Sequence, residues 1–254
     1  GFSGKLYVVN PRENEVQGVP AVASVEELPE VDLAILAIPA PACPPVMEIL
    51  ARKKNTRAFI VISAGFSEMG HEGKLLEEEM VRIVNEVEGT LIGPNCIGIM
   101  NPWHTSVFTT PIPPLWPKGC DFISGSGATA VFIMEAGIPK GLRFSSVWSV
   151  GNSAQTGVEE VLEHMDETFD PEESSRVKLL YLESVRNPDK LLEHSASLIR
   201  KGCRIAAIKA GSSTAGSRAA SSHTGALVSS DAAVEALFRK AGIVRCYGRE
   251  ELVT

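Results

Sequence analysis

The order of its apolar runs most constrains what this chain can fold into. Short runs rich in Val, Ile and Leu alternate with segments of helical character, and they fall at residues 5–9, 33–38, 58–62, 90–92, 121–123, 145–150, 177–182, 204–208 and 243–245. Several of them, such as residues 33–38, are apolar without a break. Strands buried on both faces of a parallel sheet have this character. The alternation therefore predicts an α/β fold built from doubly wound parallel sheets.

The segments between the runs predict the helices. Residues 71–87 carry apolar side chains at positions 75, 76, 80, 83, 84 and 87, which is the spacing of one helix face. The predicted helices are residues 46–54, 71–87, 128–137, 157–167, 189–201 and 231–241.

Residues 101–119 interrupt the alternation. This stretch contains five prolines and two tryptophans and shows no periodicity, so it is predicted to connect two domains. The first domain is expected over residues 1–110 and the second over residues 119–254, with the two meeting near residues 103–119.

Composition excludes several classes of function. A net charge of −7 argues against a nucleic-acid surface, and no apolar run is long enough to span a membrane. The five cysteines are widely spaced without a CxxC pair, which is typical of reduced thiols in a cytoplasmic protein. His71, His104, His164 and His194 have no partners at metal-ligand spacing, so no metal site is expected.

Polar and small residues follow the predicted strands, where ligands bind in open α/β sheets. Ser124 and Ser126 flank a glycine at a strand-to-helix turn, whose amides and helix N-terminus favour an anion, although such runs also form ordinary turns. Gly151 and Asn152 form a second loop of the same kind. Glu183 is a carboxylate at a strand tip, which taken by itself is more often an exposed charge than a functional group. The chain has no GxxxxGK[ST] loop, so nucleotide binding of that type is not expected.

Residues 210–227 form the most unusual stretch of the sequence. Nearly every side chain there is small, three residues are glycine, and His223 stands between Ser222 and Thr224. Such a composition lets a backbone approach a ligand closely. Two interpretations remain open: a reactive histidine on a mobile loop, or a linker with a surface histidine.

Five short motifs follow one another along the chain: IPAPAC at 38–43, GPNC at 93–96, SGSG at 124–127, SVGNS at 149–153 and SSHTGA at 221–226. Their order resembles that found in nucleoside-diphosphate-forming acyl-CoA synthetases. Nearly the whole chain resembles the α part of the ADP-forming acetyl-CoA synthetases and, more distantly, the α subunit of succinyl-CoA synthetase. The resemblance implies a Rossmann-like CoA-binding domain followed by a flavodoxin-like domain that carries a phosphorylated histidine.

The resemblance also implies a chemistry. Acyl-CoA, phosphate and a nucleoside diphosphate become the acid, CoA and a nucleoside triphosphate. Phosphate attacks the thioester, and an imidazole then takes the phosphoryl group from the acyl phosphate. His223 stands where the family places that imidazole, and Glu183 would be the carboxylate on its other ring nitrogen. The amides of Ser126 and Gly127 would hold the phosphoryl oxygens.

The resemblance further implies which residues hold CoA: Asn10, Pro11, Pro39, Ser63, Ala64, Gly65, Asn95 and Cys96. Cys96 is not expected to be a nucleophile, because no neighbouring residue in the sequence supplies a base. The family's first strand and its Gly-rich turn are missing from this sequence, so the chain alone is expected to bind CoA weakly. A Mg-nucleotide is expected on an ATP-grasp β subunit or domain, without which the chain should be inactive. A homo- or hetero-oligomer is expected.

Two other functions stay in view. The same fold could sense acyl-CoA without turnover, but a sensor has no need of both His223 and Glu183. A dinucleotide-binding enzyme is disfavoured because the GxGxxG fingerprint is absent.

Overall fold

A computed structural model describes residues 4–211 and 231–254 of the chain. His223 and most of the 210–227 stretch lie outside the described residues, so the predicted placement of His223 stays a prediction.

The N-terminal part contains a three-stranded parallel sheet with two helices. Its strands, in sheet order, are β4 (Leu33–Leu36), β5 (Ala58–Val61) and β6 (Thr90–Ile92), and its helices are α1 (Cys43–Lys53) and α2 (His71–Glu86). A separate small sheet precedes it, made of β1 (Val8–Val9), β2 (Glu15–Val16) and β3 (Val19–Val22). Residues Gln17 and Gly18 join β2 to β3 with positive φ angles, which suits a tight hairpin turn.

Side-chain alternation along these strands separates two clusters. Leu36, Phe59, Val61 and Leu91 pack against both α1 and α2 in one core. Ile60 and Ile92 point to the other face, where they form a smaller cluster with Cys96. Both helices of this part therefore cover the same face of its sheet.

The C-terminal part is a six-stranded sheet covered on both faces. Its strands are β7 (Ile99–Met100), β8 (Leu115–Ser124), β9 (Phe144–Ser149), β10 (Val177–Leu182), β11 (Arg204–Lys209) and β12 (Val244–Cys246). Their spatial order is β12-β11-β10-β8-β9-β7, and all neighbours are parallel except β7 and β9. Without β7, this is the strand order of a flavodoxin-like sheet.

Helices lie on both faces of this sheet. The helices α4 (Val158–Glu167), α5 (Pro188–Arg200) and α6 (Asp231–Ala241) share one core with Leu180, Leu182, Ile205 and Ala207. On the opposite face, α3 (Gly127–Gly137) and α7 (Arg249–Leu252) pack over Phe122, Phe144 and Leu179. The predicted α/β fold class with mainly parallel sheets is confirmed.

The connection between the two parts differs from its prediction. Residues 101–119 were expected to lack strands, but β8 begins at Leu115 and reaches Cys120 through an irregularity in which both residues pair with Phe144. β7 precedes the proline-rich stretch in the chain, yet it pairs with β9 at the edge of the second sheet. The second sheet therefore holds strands from both sides of residues 101–114, and the division into domains at 110 and 119 stays a prediction.

Candidate active site

The site lies where the strand order of the second sheet reverses. From β8 the chain passes to β9 on one side and later to β10 on the other, so a crevice opens beyond the carboxyl ends of β8 and β10. A Cβ placed on Gly125, just after β8, would lie 3.6 Å from the Glu183 amide nitrogen and 3.7 Å from its Cγ. Gly125 and Glu183 are therefore immediate neighbours. The resemblance implied that Glu183 lies close to this loop.

The turn after β8 is held by its own serines. The buried Ser124 hydroxyl donates to the Ser126 carbonyl oxygen at 2.7 Å, and the Gly125 amide continues the ladder to the Tyr181 carbonyl at 2.9 Å. Ser126 is the N-cap of α3, and its hydroxyl accepts the Thr129 amide at 3.2 Å.

The Gly127 and Ala128 amides belong to the first turn of α3, where the helix itself offers no acceptor. An anion in the crevice would meet these amides and the positive end of the helix dipole. The Ser126 amide was also predicted to hold a phosphoryl oxygen, but it donates to the Ser124 hydroxyl at 3.2 Å.

The loop after β9 forms a second wall. Gly151 has a φ of 55°, and a Cβ on it would lie 2.1 Å from the Pro94 carbonyl oxygen. Only glycine permits this approach between the two parts of the chain. The Asn152 amide donates to the same Pro94 carbonyl at 2.9 Å, and the Asn152 side chain turns toward the N-terminal part. Asn152 was predicted to bind phosphate, and its side-chain amide is instead engaged by carboxylates.

One pocket collects these loops. It is lined by Ser67, Gly125, Gly151, Asn152, Ser153, Val158, Glu159, Glu183, Ser184 and Arg186. The structure thus brings Glu183 together with Gly125 and with residues 151–153, which are distant in sequence. Ser124, Ser126 and Gly127, which were also predicted to bind phosphate, are not among the lining residues. Ser67 shows that the N-terminal part contributes to the same pocket.

Arg186 and Glu159 are pocket residues that the sequence analysis did not single out. The Arg186 guanidinium donates to the carbonyl oxygens of Asn152, at 2.6 Å, and Ser153. The buried Glu159 carboxylate accepts the Arg186 amide at 2.8 Å and the Asn187 amide at 3.3 Å. Glu159 fixes the loop after β10, and Arg186 adds a positive charge at the rim, where an anion would be attracted. The signal in the sequence for Arg186 was its charge close after a predicted strand, three positions beyond Glu183.

The loops predicted to hold CoA meet at the carboxyl ends of β4, β5 and β6. The Ser63 hydroxyl donates to the Ile38 carbonyl, and the Asn95 amide donates to the Ser63 carbonyl at 2.9 Å. A Cβ on Gly65 would lie 3.0 Å from the Ala40 Cβ, next to Pro39. These contacts bring Pro39, residues 63–65 and Asn95 together, with Pro39 and Ala64 exposed.

Asn10 and Pro11 lie in a different setting, at the end of β1 in the small sheet. The Asn10 side-chain oxygen accepts hydrogen bonds from the backbone amides of Arg12, at 2.9 Å, and Glu13, at 3.2 Å. These bonds order the turn.

Cys96 is the last residue of the loop at 93–96, and its side chain is buried. Its thiol donates to the Val61 carbonyl oxygen at 3.4 Å. Burial raises the pKa of Cys96 to about 11, so the thiol stays protonated at neutral pH. A protonated, enclosed thiol is a poor nucleophile, in line with the expectation from sequence.

Two acidic residues near the pocket were also missed. Glu68 follows the loop at 63–66, and its carboxylate accepts the amides of Gly65 at 2.6 Å and Phe66 at 3.2 Å. Glu77 is buried among the apolar positions of α2 and accepts the Ser67 amide at 3.2 Å and the Ser67 hydroxyl at 2.8 Å. A carboxylate at a buried helical position was a signal that the sequence carried for Glu77.

Comparison with known protein families assigns both parts of the chain. Residues 117–254 match the succinyl-CoA ligase-like flavodoxin domain, and residues 3–102 match a CoA-binding domain. No helix in the described part of the chain combines the length and apolar character needed to cross a membrane.

Curated relatives match along almost the whole chain. The α subunit of ADP-forming acetate–CoA ligase II from Pyrococcus furiosus is 37% identical over 252 residues, covering 99% of this chain and 54% of the relative. ADP-forming acetate–CoA ligase I from Archaeoglobus fulgidus is 38% identical over 255 residues, covering 99% of this chain and 36% of the relative. The chain therefore spans between about a third and a half of these relatives' lengths.

A solved structure also matches this fold over the whole chain. The dinucleotide-forming acetyl-coenzyme A synthetase 1 from Ca. Korarchaeum cryptofilum, in complex with phosphate and ADP, superposes with a TM-score of 0.88 at 30% identity. The match covers 100% of this chain and 53% of that one.

Proposed function

The chain belongs to the family of nucleoside-diphosphate-forming acyl-CoA synthetases, in which it corresponds to the α part, and we propose that it binds acyl-CoA and carries the phosphoryl group on His223. The observation that supports this proposal most is the pocket that joins Glu183 to the glycine loop before α3 and to the loop at Gly151. A phosphoryl-transfer site needs an orienting carboxylate and fixed donors for the phosphoryl oxygens. Glu183 lines the pocket, and the proposal assigns the donors to the amides at the start of α3.

Coenzyme A is the proposed substrate of the N-terminal part. The loops after β4, β5 and β6 consist mainly of small residues and proline, so an extended ligand could approach their backbone. Pro39 and Ala64 face solvent there. Asn95 lies at the junction with the pocket, where its side-chain amide donates to the Asn152 side-chain oxygen at 3.3 Å. We therefore assign the thiol end of CoA to residues 63–66 and 93–96.

The proposed mechanism assigns one task to each protein group. Amides at the start of α3 bind phosphate while it attacks the thioester carbonyl carbon and displaces the CoA thiolate. One ring nitrogen of His223 then attacks the phosphorus of the acyl phosphate, and the carboxylate leaves as the acid. Glu183 accepts the N–H of the other ring nitrogen, which fixes the tautomer and stabilises the positive charge that develops on the ring.

A second protein part completes the reaction. The phosphoryl group on nitrogen keeps a high transfer potential, so it can pass to a nucleoside diphosphate held with Mg²⁺ elsewhere. We assign that site to an ATP-grasp subunit or domain. One relative is named as a subunit α, and the chain matches 54% of that relative and 36% of the second one. The acceptor nucleotide and an oligomeric assembly are part of this proposal, as is a cytoplasmic location.

An acyl-CoA sensor without turnover is the second candidate. It would share the CoA loops, but it would not require a carboxylate beside an anion-binding helix N-terminus. The position of Glu183 next to Gly125 therefore favours the enzyme.

The test is the net reaction. The chain, assembled with the ATP-grasp part of the ligase, is given acetyl-CoA, phosphate and ADP, and release of free CoA and formation of ATP are measured. We expect both products in equal amounts, and we expect neither after His223→Asn. CoA release without ATP, or activity that survives His223→Asn, would contradict the proposal.

A further inference from the structure

Asn152 forms a polar contact between the two parts of the chain. Its side-chain nitrogen donates to the Glu68 carboxylate at 2.5 Å and to the Glu77 carboxylate at 2.6 Å. Its side-chain oxygen accepts the Asn95 amide at 3.3 Å. An amide side chain offers two N–H donors and an acceptor, so these partners use each of its groups.

Glu68 divides its two oxygens between the two sites. Oε1 accepts the backbone amides of Gly65 and Phe66, in the loop assigned to the thiol end of CoA. Oε2 accepts the Asn152 side chain, whose residue lines the pocket with Glu183. One carboxylate is therefore bonded to both loops at once. Hydrogen bonds to an ionised acceptor are the stronger kind, which makes this bridge stiff.

The backbone of Asn152 continues the connection into the pocket. Its amide donates to the Pro94 carbonyl at 2.9 Å, and its carbonyl accepts the Arg186 guanidinium at 2.6 Å. Movement of the CoA loop would therefore be passed to the loop at 151–153 and to Arg186.

We propose that Glu68 is a positioning residue that aligns the acyl-CoA loop with the phosphoryl pocket through Asn152. This inference rests on the proposed function. Attack of phosphate on a thioester joins two ligands held by different parts of the chain, and a misplacement of about 1 Å can cost about 100-fold in rate. Glu68 touches neither reacting atom, so its effect should be confined to the step that needs both ligands.

That restriction separates two ways of phosphorylating His223. Acetyl-CoA with phosphate requires the CoA loop and the pocket in register. ATP, bound at the nucleotide site proposed on the ATP-grasp part, requires His223 but neither the CoA loop nor its alignment with the pocket. A residue that only supports folding would affect both routes equally.

The experiment compares both routes in the assembled ligase. Initial rates of His223 labelling are measured with acetyl-CoA and ³²P-phosphate, and separately with γ-³²P-ATP, for the wild type and for Glu68→Gln. The introduced amide keeps an oxygen for the Gly65 and Phe66 amides but turns an N–H group toward the Asn152 nitrogen. We expect the acetyl-CoA route to slow about tenfold, as for one lost hydrogen bond to a charged group, while the ATP route changes less than about twofold.

Three further variants control the result. Glu72→Gln removes an exposed carboxylate from the first turn of α2 and should leave both routes unchanged. The single variant Asn152→Ala and the double variant Glu68→Gln with Asn152→Ala test whether the two side chains act as a pair. The double variant should follow the acetyl-CoA route no more slowly than the slower single variant, because Asn152→Ala already removes the partner of Glu68.

The remaining outcomes would contradict either the positioning role of Glu68 or the proposed function. If Glu68→Gln slows both routes equally, or slows neither, the positioning role is wrong while the proposed function stands. If the double variant is slower than both single variants, the two side chains do not act as a pair and the inference fails. A wild-type ligase that acetyl-CoA and phosphate do not label overturns the proposed function, and this inference with it.

Discussion

At the scale of single residues, Glu183 carries the clearest functional assignment. It follows β10 directly and lies beside Gly125 in the pocket. Glu183→Gln keeps the shape of the side chain but removes the charge that would stabilise a protonated imidazole. We expect the rate of phosphoprotein formation to fall by about tenfold or more. The free energy of unfolding should stay close to that of the wild type.

Glu193→Gln is the matched control for that prediction. Glu193 is an exposed carboxylate on α5, on the solvent side of the C-terminal part. Its replacement should change neither the rate nor the stability. Equal rates for Glu183→Gln and Glu193→Gln would remove Glu183 from the mechanism.

The reactivity of Cys96 tests whether its thiol is protonated and enclosed, as the structure indicates. With a pKa of about 11, about one Cys96 thiol in a thousand is ionised at pH 8. Iodoacetamide should therefore modify native Cys96 at least about a hundredfold more slowly than it modifies the same thiol in guanidinium, since the thiol is also enclosed. Peptide mass spectrometry gives both rates. Fast modification of native Cys96 would show an exposed, ionised thiol, contrary to this structure.

A buried ion pair with no place in the mechanism defines a stability test. Lys178 on β10 binds the Asp121 carboxylate on β8, with side chains only 2% and 9% exposed. The Ser146 hydroxyl donates to the same carboxylate at 2.6 Å. Lys178→Met leaves that carboxylate buried without its cation, so we expect a loss of about 3–5 kcal/mol in the free energy of unfolding by urea.

The control for Lys178→Met is an ion pair on the surface. Lys74 and Glu78 are 3.8 Å apart on α2 with most of their side chains exposed. Lys74→Met should change the free energy of unfolding by less than about 0.5 kcal/mol. Similar losses for the two variants would mean that the Asp121–Lys178 pair is solvated in solution.

At the scale of elements, the loop after β9 depends on one glycine. Gly151 has a positive φ, and a Cβ there would also collide with the Pro94 carbonyl. Gly151→Ala should therefore cost about 2 kcal/mol or more in the free energy of unfolding. Gly141 has a φ of 89° but nothing within 4 Å of its Cβ position, so Gly141→Ala carries the backbone strain alone. A loss no larger than that of Gly141→Ala would contradict the contact between the two parts.

Most helices and strands could be predicted because each carries an apolar run or a helical period of its own. β10 and α6 lie at their predicted residues, and other bounds differ by a few positions. The hairpin of β2 and β3 was missed because its strands have only two and four residues and Pro20 interrupts the longer one. β7 was missed because two residues carry no period and its partner β9 lies far along the chain.

The site was partly predictable for a related physical reason. Residues at strand ends could be located from the sequence, since each follows a recognisable strand, and so Gly125, Gly151 and Glu183 were found. Glu68 and Arg186 act through contacts with loops that are far away in sequence. Such contacts follow from the way the two parts pack, and no local pattern encodes that packing.

At the scale of the whole molecule, the two parts are joined by polar contacts as well as by the chain. The Gln155 side-chain oxygen accepts the Leu91 amide at 2.6 Å, and its nitrogen donates to the Asn85 side chain at 2.7 Å. Together with Asn152, this residue fixes the N-terminal part relative to the loop after β9. The proposed reaction would require such an arrangement, because two ligands bound by different parts would have to meet.

The proposal as a whole depends on His223 accepting a phosphoryl group at this pocket. The direct measurement is to label the assembled ligase with acetyl-CoA and ³²P-phosphate without nucleotide, and to locate the label by peptide mass spectrometry. We predict one acid-labile, base-stable phosphoryl group on His223, which disappears when ADP is added and ATP forms. Label on another residue, or no label while acetyl-CoA is consumed, would contradict this role of His223.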